Sequence, residues 1–298
     1  MNTINRTIIA NEIKLMFFIG LSITAILFLG YIITEIFGLG MTGIMATMVI
    51  AVGMNLFSYF FSKDIVLKSQ GAIRMREEEF GEYINNVKRM CENNNIRLPE
   101  LYYINSSALN AFATGRNQKN AAVVVTKGLL QNVPMDEIMG VVGHELSHII
   151  HKDIMITSFI GTMLGCITIM ASFIRNASIY RSGYNNRNSN SSPMLSLVAI
   201  LASVVTPIAA TLIKMAVSRS REYMADATGG QICGNPMLLA KALYRISHDG
   251  SEMPCANSAV APLYISNPLR NNIFTNLFST HPNTEDRIRR LEKMNFNG

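Results

Sequence analysis

The chain has 298 residues, of which 15% are charged and 49% hydrophobic, and its net charge is +6. Soluble proteins have roughly 25% charged residues, and the apolar residues here come in long blocks, so the composition excludes an ordinary soluble protein. It contains no run of lysines and arginines and no recognisable nucleic-acid module, so we expect no nucleic-acid partner. The cysteines form no C-x-x-C pair, which excludes a cysteine zinc site of that type.

Four segments are long and apolar enough to cross a bilayer, which takes about 20 residues. They are residues 15–34, 36–62, 154–174 and 194–213. The first could be a signal peptide or a membrane helix. No small-residue cleavage site follows it and the second segment comes almost at once, which favours a retained hairpin. None of the four contains Asp, Glu, Lys, Arg or His.

The two hairpins divide the chain into four parts. These are an N-terminal membrane hairpin (1–62), a first soluble part (63–153), a second hairpin (154–213) and a second soluble part (214–298). Four cations, Lys63, Lys68, Arg74 and Arg76, follow the second span. The positive-inside tendency therefore places the soluble parts in the cytoplasm. Loop 175–193 disagrees, since it holds three arginines and no acid. Segments three and four could therefore be shallow or packed on protein.

The soluble parts combine helices with a small β-sheet, so the predicted fold class is α+β, mainly helical. Aromatic and β-branched residues predict strands at 100–104 and 121–126. Amphipathic patterns predict helices at 77–93, 237–248 and 284–294. Another helix is predicted through residues 141–151, with Asp136 as its N-cap.

The stretch "VVGHELSHIIHKD", residues 141–153, holds three of the five histidines. Its residues 144–148 form the pattern H-E-x-x-H, and helical residues four apart have Cβ atoms roughly 5–6 Å apart. His144 and His148 can therefore bind one metal ion, while Glu145 can reach a water held by that ion. Hydrolytic zinc chemistry requires this arrangement, because the ion acidifies the water and the carboxylate takes its proton.

The alternative is a surface helix with two chance histidines. Apolar residues flank the motif and predict a helix packed in a core, where unliganded histidines would be costly to bury. His151 lies on nearly the same face as His144 but two turns away, roughly 10 Å along the axis. It cannot easily share the ion, so we interpret it as a surface residue or as one that supports a ligand indirectly.

A catalytic zinc site usually has three protein ligands and one open position. The candidates for the third are carboxylates and the remaining histidines, His248 and His281. The best stretch is "SRSREYMADA", residues 218–227, which can be helical and carries Glu222 and Asp226 four apart. Glu222 would bind the metal and Asp226 would orient a histidine. The same spacing fits equally well a solvent-exposed pair of carboxylates, Glu222 and Asp226, that neutralises the charges of Arg219 and Arg221.

Membrane topology agrees with Glu222 as the third ligand. His148 and Glu222 can meet only if an even number of crossings separates them. The sequence places two predicted spans between them, 154–174 and 194–213.

These motifs together resemble a known family. "HELSHIIHKD" and "SRSREYMADA", with "NAFATG" (110–115) and "HPNTEDRI" (281–288), resemble the membrane-embedded M48 zinc metalloproteases, in particular the HtpX heat-shock protease group. Their order and spacing agree over nearly the whole chain. The resemblance implies a zincin-like metalloprotease domain with one Zn²⁺ per subunit. It also implies that His144, His148 and Glu222 are the ligands, that Glu145 is the general base and that Asp226 orients a ligand.

The resemblance further implies residues that bind the substrate. An edge strand would pair with the substrate backbone, and it would comprise Asn110, Ala111, Phe112, Ala113, Thr114 and Gly115. His281 or Arg287 would stabilise the oxyanion or the substrate. His281, which precedes Pro282, could instead only lead into the last helix.

The implied function is that of a zinc metalloendopeptidase in the cell inner or plasma membrane, with its active site facing the cytoplasm. Its partners would be the lipid bilayer and protein substrates, in particular misfolded membrane proteins. One alternative is a prenyl-protein (CAAX-type) endopeptidase of the same clan, for which more spans are expected. The other is a non-hydrolytic metal-binding membrane protein or transporter, against which the absence of ionisable residues in the four spans argues.

Overall fold

The protein begins with two long helices in the computed structural model, which describes residues 3–163, 219–251, 253, 260–268 and 282–295. Helix α1 is Thr3–Phe37 and helix α2 is Gly40–Ser69, and they lie side by side as a hairpin. Arg6–Phe28 and Gly40–Ser69 are long and apolar enough to cross a membrane, and only 17% of the most apolar window of each is buried. A core helix would be mostly buried, so this exposure agrees with the predicted first hairpin.

A small mixed sheet follows the hairpin. Its strands are β1 (Ile73–Arg74), β2 (Glu100–Ile104), β3 (Ala111–Gly115) and β4 (Ala121–Thr126), and helix α3 (Glu77–Asn93) lies between β1 and β2. The order is β1-β2-β4-β3, with β2 and β4 parallel and the other two pairs antiparallel. β3 therefore forms one end of the sheet.

Six further helices are described after the sheet. They are α4 (Lys127–Asn132), α5 (Met135–Ile150), α6 (Asp153–Met163), α7 (Arg219–Cys233), α8 (Pro236–His248) and α9 (Thr284–Asn295). With the sheet, they confirm the α+β, mainly helical class. The predicted elements at 77–93, 100–104 and 121–126 match α3, β2 and β4 at both ends.

Helix α5 begins at Met135, two residues earlier than the predicted N-cap Asp136 allows. Its N-cap is Pro134, whose carbonyl accepts the first helical hydrogen bond from the N–H of Ile138 at 3.0 Å. Proline has no N–H to satisfy and suits the start of a helix. Asp136 lies instead in the first turn, where its carboxylate accepts from the N–H of Glu137 at 2.9 Å. A negative charge is favourable there because of the helix dipole.

Of the second predicted hairpin, the structure describes only the beginning. Helix α6 is apolar and buried, and Phe159 and Ile156 pack against Leu15 and Phe18 of α1. The rest of the third predicted span and all of the fourth lie outside the described residues. Two helices long enough to cross a membrane are therefore found in the described part of the chain, where the sequence predicted four spans.

Candidate metal centre

Helices α5 and α7 are in direct backbone contact. A Cβ atom added at Gly143 would lie 2.6 Å from the carbonyl oxygen of Gly229, and one added at Gly229 would lie 2.6 Å from the nitrogen of His144. Both distances are too short for a real Cβ atom. Only glycine at both positions lets the helix that carries Glu222 approach the histidine motif so closely.

This approach explains one expected result. Replacing Gly229 with alanine should force α7 away from His144, and overpacking of this kind destabilises a fold by about 1–3 kcal/mol. We also expect weaker metal binding, because Glu222 moves with α7. Metal content and thermal denaturation in detergent would measure the two effects. Gly81→Ala is the matched control, since a Cβ there meets nothing within 4 Å and alanine favours a helix. Unchanged metal binding in Gly229→Ala would contradict the prediction.

Three side chains converge at this contact. The Nε2 atoms of His144 and His148 are 3.2 Å apart, and the carboxylate oxygens of Glu222 lie 3.8 Å and 3.7 Å from them. Two ligands about 2.0–2.1 Å from a tetrahedral ion are about 3.3 Å from each other. The three residues predicted as ligands are therefore spaced to hold one metal ion.

The other nitrogen of each histidine faces a carboxylate. Nδ1 of His144 is 2.9 Å from Asp226, and Nδ1 of His148 is 3.0 Å from Asp153. Carboxylates only accept, so each Nδ1 carries a proton and donates it, and each Nε2 faces the other ring. A neutral ring offers its lone pair at that Nε2. When both rings are neutral, their two lone pairs and the Glu222 carboxylate meet at one point, and they repel each other unless a cation lies between them. The donor set thus fits a divalent metal ion.

Proton binding at His148 competes with metal binding. Burial lowers the pKa of His148, but its hydrogen bond to Asp153 and the charges of Glu222 and Asp153 raise it to about 9 overall. A histidine binds metal only in its neutral form, so binding releases this proton and weakens as the pH falls.

Asp226 is supported from behind by Arg287. The buried guanidinium of Arg287 donates two hydrogen bonds to this carboxylate, at 2.9 Å and 2.7 Å, and a third to the carbonyl of Ile265 at 3.3 Å. Burial would raise the pKa of Asp226, but Arg287 and His144 hold it well below its usual range. The resemblance implies a contact of Arg287 with the oxyanion or substrate. Here its guanidinium binds Asp226 and Ile265 and lies 3.4 Å from Nδ1 of His144. The second candidate for that role, His281, lies outside the described residues.

Glu145 lies beside the ligands and is buried. Burial and the charge of Glu222 raise the pKa of Glu145 to about 7, although His148 and Arg287 lower it. A hydrogen bond from the backbone of Ala113 also reaches this carboxylate. A carboxylate that titrates near neutral pH can both accept and donate a proton.

Two histidines outside the ligand set take different places. His151 is buried, and its Nδ1 lies 3.1 Å from the hydroxyl of Ser147, so it is not a surface residue. His248 is exposed at the end of α8, where its Nδ1 lies 2.8 Å from the carbonyl oxygen of Tyr244. It takes no part in the cluster.

Asp153 is a residue of the site that the sequence did not indicate. One of its oxygens accepts from His148, and the other accepts from Asn11 at 2.8 Å and from Arg221 at 3.3 Å. A carboxylate five residues after His148 was a visible signal for Asp153. Asn11 offered none, because it lies 142 residues away from Asp153 in the chain.

Strand β3 is buried along its whole length, and part of its outer edge is engaged. The carbonyl of Ala111 accepts from the N–H of Ile265 at 2.9 Å, and the N–H of Gly115 donates to the hydroxyl of Ser158 at 3.1 Å. Phe112 forms an antiparallel bridge with Tyr264, and the two rings are 4.8 Å apart. Residues 264–265 therefore cover one end of the predicted substrate strand.

Asn110 and Thr114 connect this strand to its surroundings. The Asn110 side chain donates to the carbonyl of Ser266 at 2.9 Å, which anchors the covering segment. The Thr114 and Ser158 hydroxyls are 2.9 Å apart, which joins the strand to α6.

Comparison with known proteins identifies the family. Residues 77–295 match the model of peptidase family M48. The chain is 41% identical over 257 residues to a "Protease HtpX homolog" of Syntrophotalea carbinolica. This match covers 86% of this chain and 90% of the relative. It is 42% identical over 255 residues to a "Protease HtpX homolog" of Thermococcus sibiricus, and that match covers 85% of this chain and 87% of the relative.

A solved structure has a similar fold. It is the crystal structure of S. mikatae Ste24p, with a TM-score of 0.50, 20% identity, and coverage of 98% of this chain and 66% of that one. The sequence relatives and the His-His-Glu cluster agree with each other. The chain therefore belongs to peptidase family M48 and is a membrane-bound metalloprotease.

Proposed function

We propose that this protease is a zinc-dependent endopeptidase that cleaves misfolded or damaged membrane proteins at the cytoplasmic face of the cell inner membrane. The observation that carries the proposal is the convergence of His144, His148 and Glu222 beside a buried Glu145. Two imidazoles and one carboxylate are a ligand set typical of catalytic zinc. The relatives named as HtpX homologues support a protease that acts on proteins, and the proposed substrate class follows from the family resemblance and the two apolar helices.

The residues around the ligands have separate roles in the proposed reaction. When bound, the zinc ion would polarise the peptide carbonyl and acidify the attacking water. Glu145 takes the proton from that water and passes it to the leaving nitrogen, and its position beside the ligands supports both steps. Asp226 and Asp153 fix the two ligand rings through their Nδ1 protons. Arg287 keeps Asp226 ionised.

We propose that the substrate lies along the outer edge of β3 as an added strand. Pairing through the main chain reads the backbone and explains cleavage of many sequences. Ala113 lies at the middle of this edge, and its backbone donates a hydrogen bond to the Glu145 carboxylate, which supports an edge adjacent to the proposed base. Beyond Gly115, the guanidinium of Arg116 lies over the ring of Phe60 of α2, 4.9 Å from its centroid. The strand therefore leads toward the membrane hairpin, from which a membrane substrate would approach.

The domain division into residues 1–62, 63–153, 154–213 and 214–298, with four spans, also remains part of the proposal. Both ends of the first hairpin contact the soluble part: Glu12 pairs with Lys152 at 2.6 Å, and Lys63 pairs with Glu100 at 2.9 Å. This supports a hairpin that crosses the membrane and returns to its starting side. The meeting of His148 and Glu222 supports an even number of crossings between them.

Metal removal tests the proposal. The purified protein in detergent should contain about one zinc per chain and should cleave a destabilised membrane protein in liposomes. A chelator should abolish cleavage, and added Zn²⁺ should restore it. His148→Ala should lose metal and activity, whereas His248→Ala, which alters an exposed histidine, should keep both. Cleavage that survives complete metal removal would overturn the proposal, and cleavage restricted to isoprenylated peptides would favour the CAAX-type alternative.

A further inference from the structure

Asn11 of α1 is a buried polar residue in the first part of this helix, which also carries Arg6, Glu12 and Lys14 and precedes the uncharged segment 15–34. It is 1% exposed and lies within the candidate span Arg6–Phe28. Its amide donates to the carboxylate of Asp153 at 2.8 Å and to the carbonyl of His151 at 2.9 Å. Burying an amide is unfavourable without hydrogen-bond partners, so its contacts are informative about its role.

Asp153 joins three helices at the metal site. Its Oδ2 accepts the Nδ1 proton of His148 on α5, and its Oδ1 accepts from Asn11 on α1 and from Arg221 on α7. Arg221 directly precedes Glu222, the third ligand. The carboxylate thus connects the first membrane helix with both helices that supply ligands.

Asp153 does not lie in α5 itself but just beyond the turn that ends it. Lys152 in this turn has a φ of 58°, a left-handed conformation that is unfavourable for a residue with a side chain. Asn11 binds groups on both sides of Lys152, the carbonyl before it and the carboxylate after it. These two bonds hold the turn in the conformation that directs Asp153 toward His148.

We propose that Asn11 is a positioning residue for the metal site: it holds Asp153, which orients His148, so the site is complete only when the first membrane helix is docked. The inference rests on the proposed metal binding by His144, His148 and Glu222. It adds that the membrane helix contributes to metal affinity itself, beyond anchoring the protein to the bilayer.

The test is metal affinity, measured by competition with a chelator on the full-length protein in detergent. Loss of a group that orients a ligand typically weakens metal binding by about 10–100-fold, and we expect Asn11→Ala to fall in that range. The absorption spectrum of the Co²⁺-substituted protein should shift as well, because the His148 ring loses its fixed orientation. Asn11→Gln retains the amide but displaces it, so it should weaken binding by less and serves if the alanine variant does not fold.

Two matched controls separate positioning from general docking of the helix. Glu12→Gln removes the neighbouring ion pair with Lys152 and leaves Asp153 untouched. Asn55→Ala removes a buried hydrogen bond between α2 and Ser22 of α1. Both should bind zinc and cobalt as the wild type does.

Wild-type metal affinity and Co²⁺ spectrum in folded Asn11→Ala or Asn11→Gln would overturn the inference. Equal weakening in the controls would overturn it too, because it would show an effect of docking alone. A wild-type protein that binds no metal would overturn the proposed function, which distinguishes the two failures.

Discussion

Replacing Glu145 with glutamine should lower the rate of peptide-bond cleavage by about 10³-fold, within the range for loss of a general base. Glutamine has nearly the same size, and its carbonyl can still accept the hydrogen bond from Ala113. It cannot take a proton from water. Metal content and thermal stability should therefore stay close to the wild type, and turnover under metal-saturated conditions is the measurement.

The matched control for this variant is Glu137→Gln on the same helix. Glu137 is also buried, but its carboxylate pairs with Arg245 at 2.7 Å. Its loss should affect stability and leave the rate of cleavage nearly unchanged. Full activity in Glu145→Gln would show that another group activates the water.

Replacing Arg287 with methionine should destabilise the protein by about 3–5 kcal/mol, the range for breaking a buried ion pair by removing one partner. Methionine fills much of the same volume, but Asp226 would lose a guanidinium that donates it two hydrogen bonds. At about 2–4 °C per kcal/mol, the thermal midpoint should fall by roughly 10 °C. His144 should also be held less firmly, so metal affinity should decrease together with stability.

Arg289→Met on the same helix is the control. Arg289 is 66% exposed, and its 3.7 Å contact with Asp286 is a surface pair, which contributes about 0–1 kcal/mol.

The depressed pKa of Asp226 sets the pH dependence of this destabilisation. The ionised Asp226 carboxylate stabilises the folded protein, and this contribution is fully present above the unfolded pKa of about 3.9. It is lost as the pH falls toward the lower pKa of Asp226 in the folded protein. The comparison therefore belongs at neutral pH. Equal midpoints for the two variants at pH 7 would contradict the prediction.

Local patterns were sufficient to predict much of the fold and the proximity of the two histidines, whereas Glu222 as the third ligand rested on the family resemblance. The strands at 100–104 and 121–126 follow from runs of aromatic and β-branched residues, which need no knowledge of distant contacts. The helical spacing of His144 and His148 fixes their proximity, and the spacing of Glu222 and Asp226 fixes theirs. The meeting of the two helices needed more than local patterns: the two predicted spans between them allow it, and the family resemblance implies it.

Other features depend on packing that no local pattern encodes. Asn11 meets Asp153 only because α1 lies against the turn after α5. His151 is buried and contacts Ser147, whereas helical periodicity alone left its exposure open. Residues 264–265 have too short a stretch to show the alternation of a strand, so their pairing with Phe112 gave no signal. Arg287 is basic in an amphipathic helix, a pattern equally compatible with binding a substrate or a buried carboxylate.

The two ion pairs at the ends of the first hairpin, Glu12–Lys152 and Lys63–Glu100, have a geometric consequence. A domain attached to a membrane hairpin at a single point can rotate about that point. A domain attached at two separate points keeps a constant distance from the bilayer and a constant tilt relative to it. The cleavage centre should therefore stay at one height above the lipid headgroups. A polypeptide would then be cut at a fixed number of residues from where it leaves the bilayer, whatever its sequence.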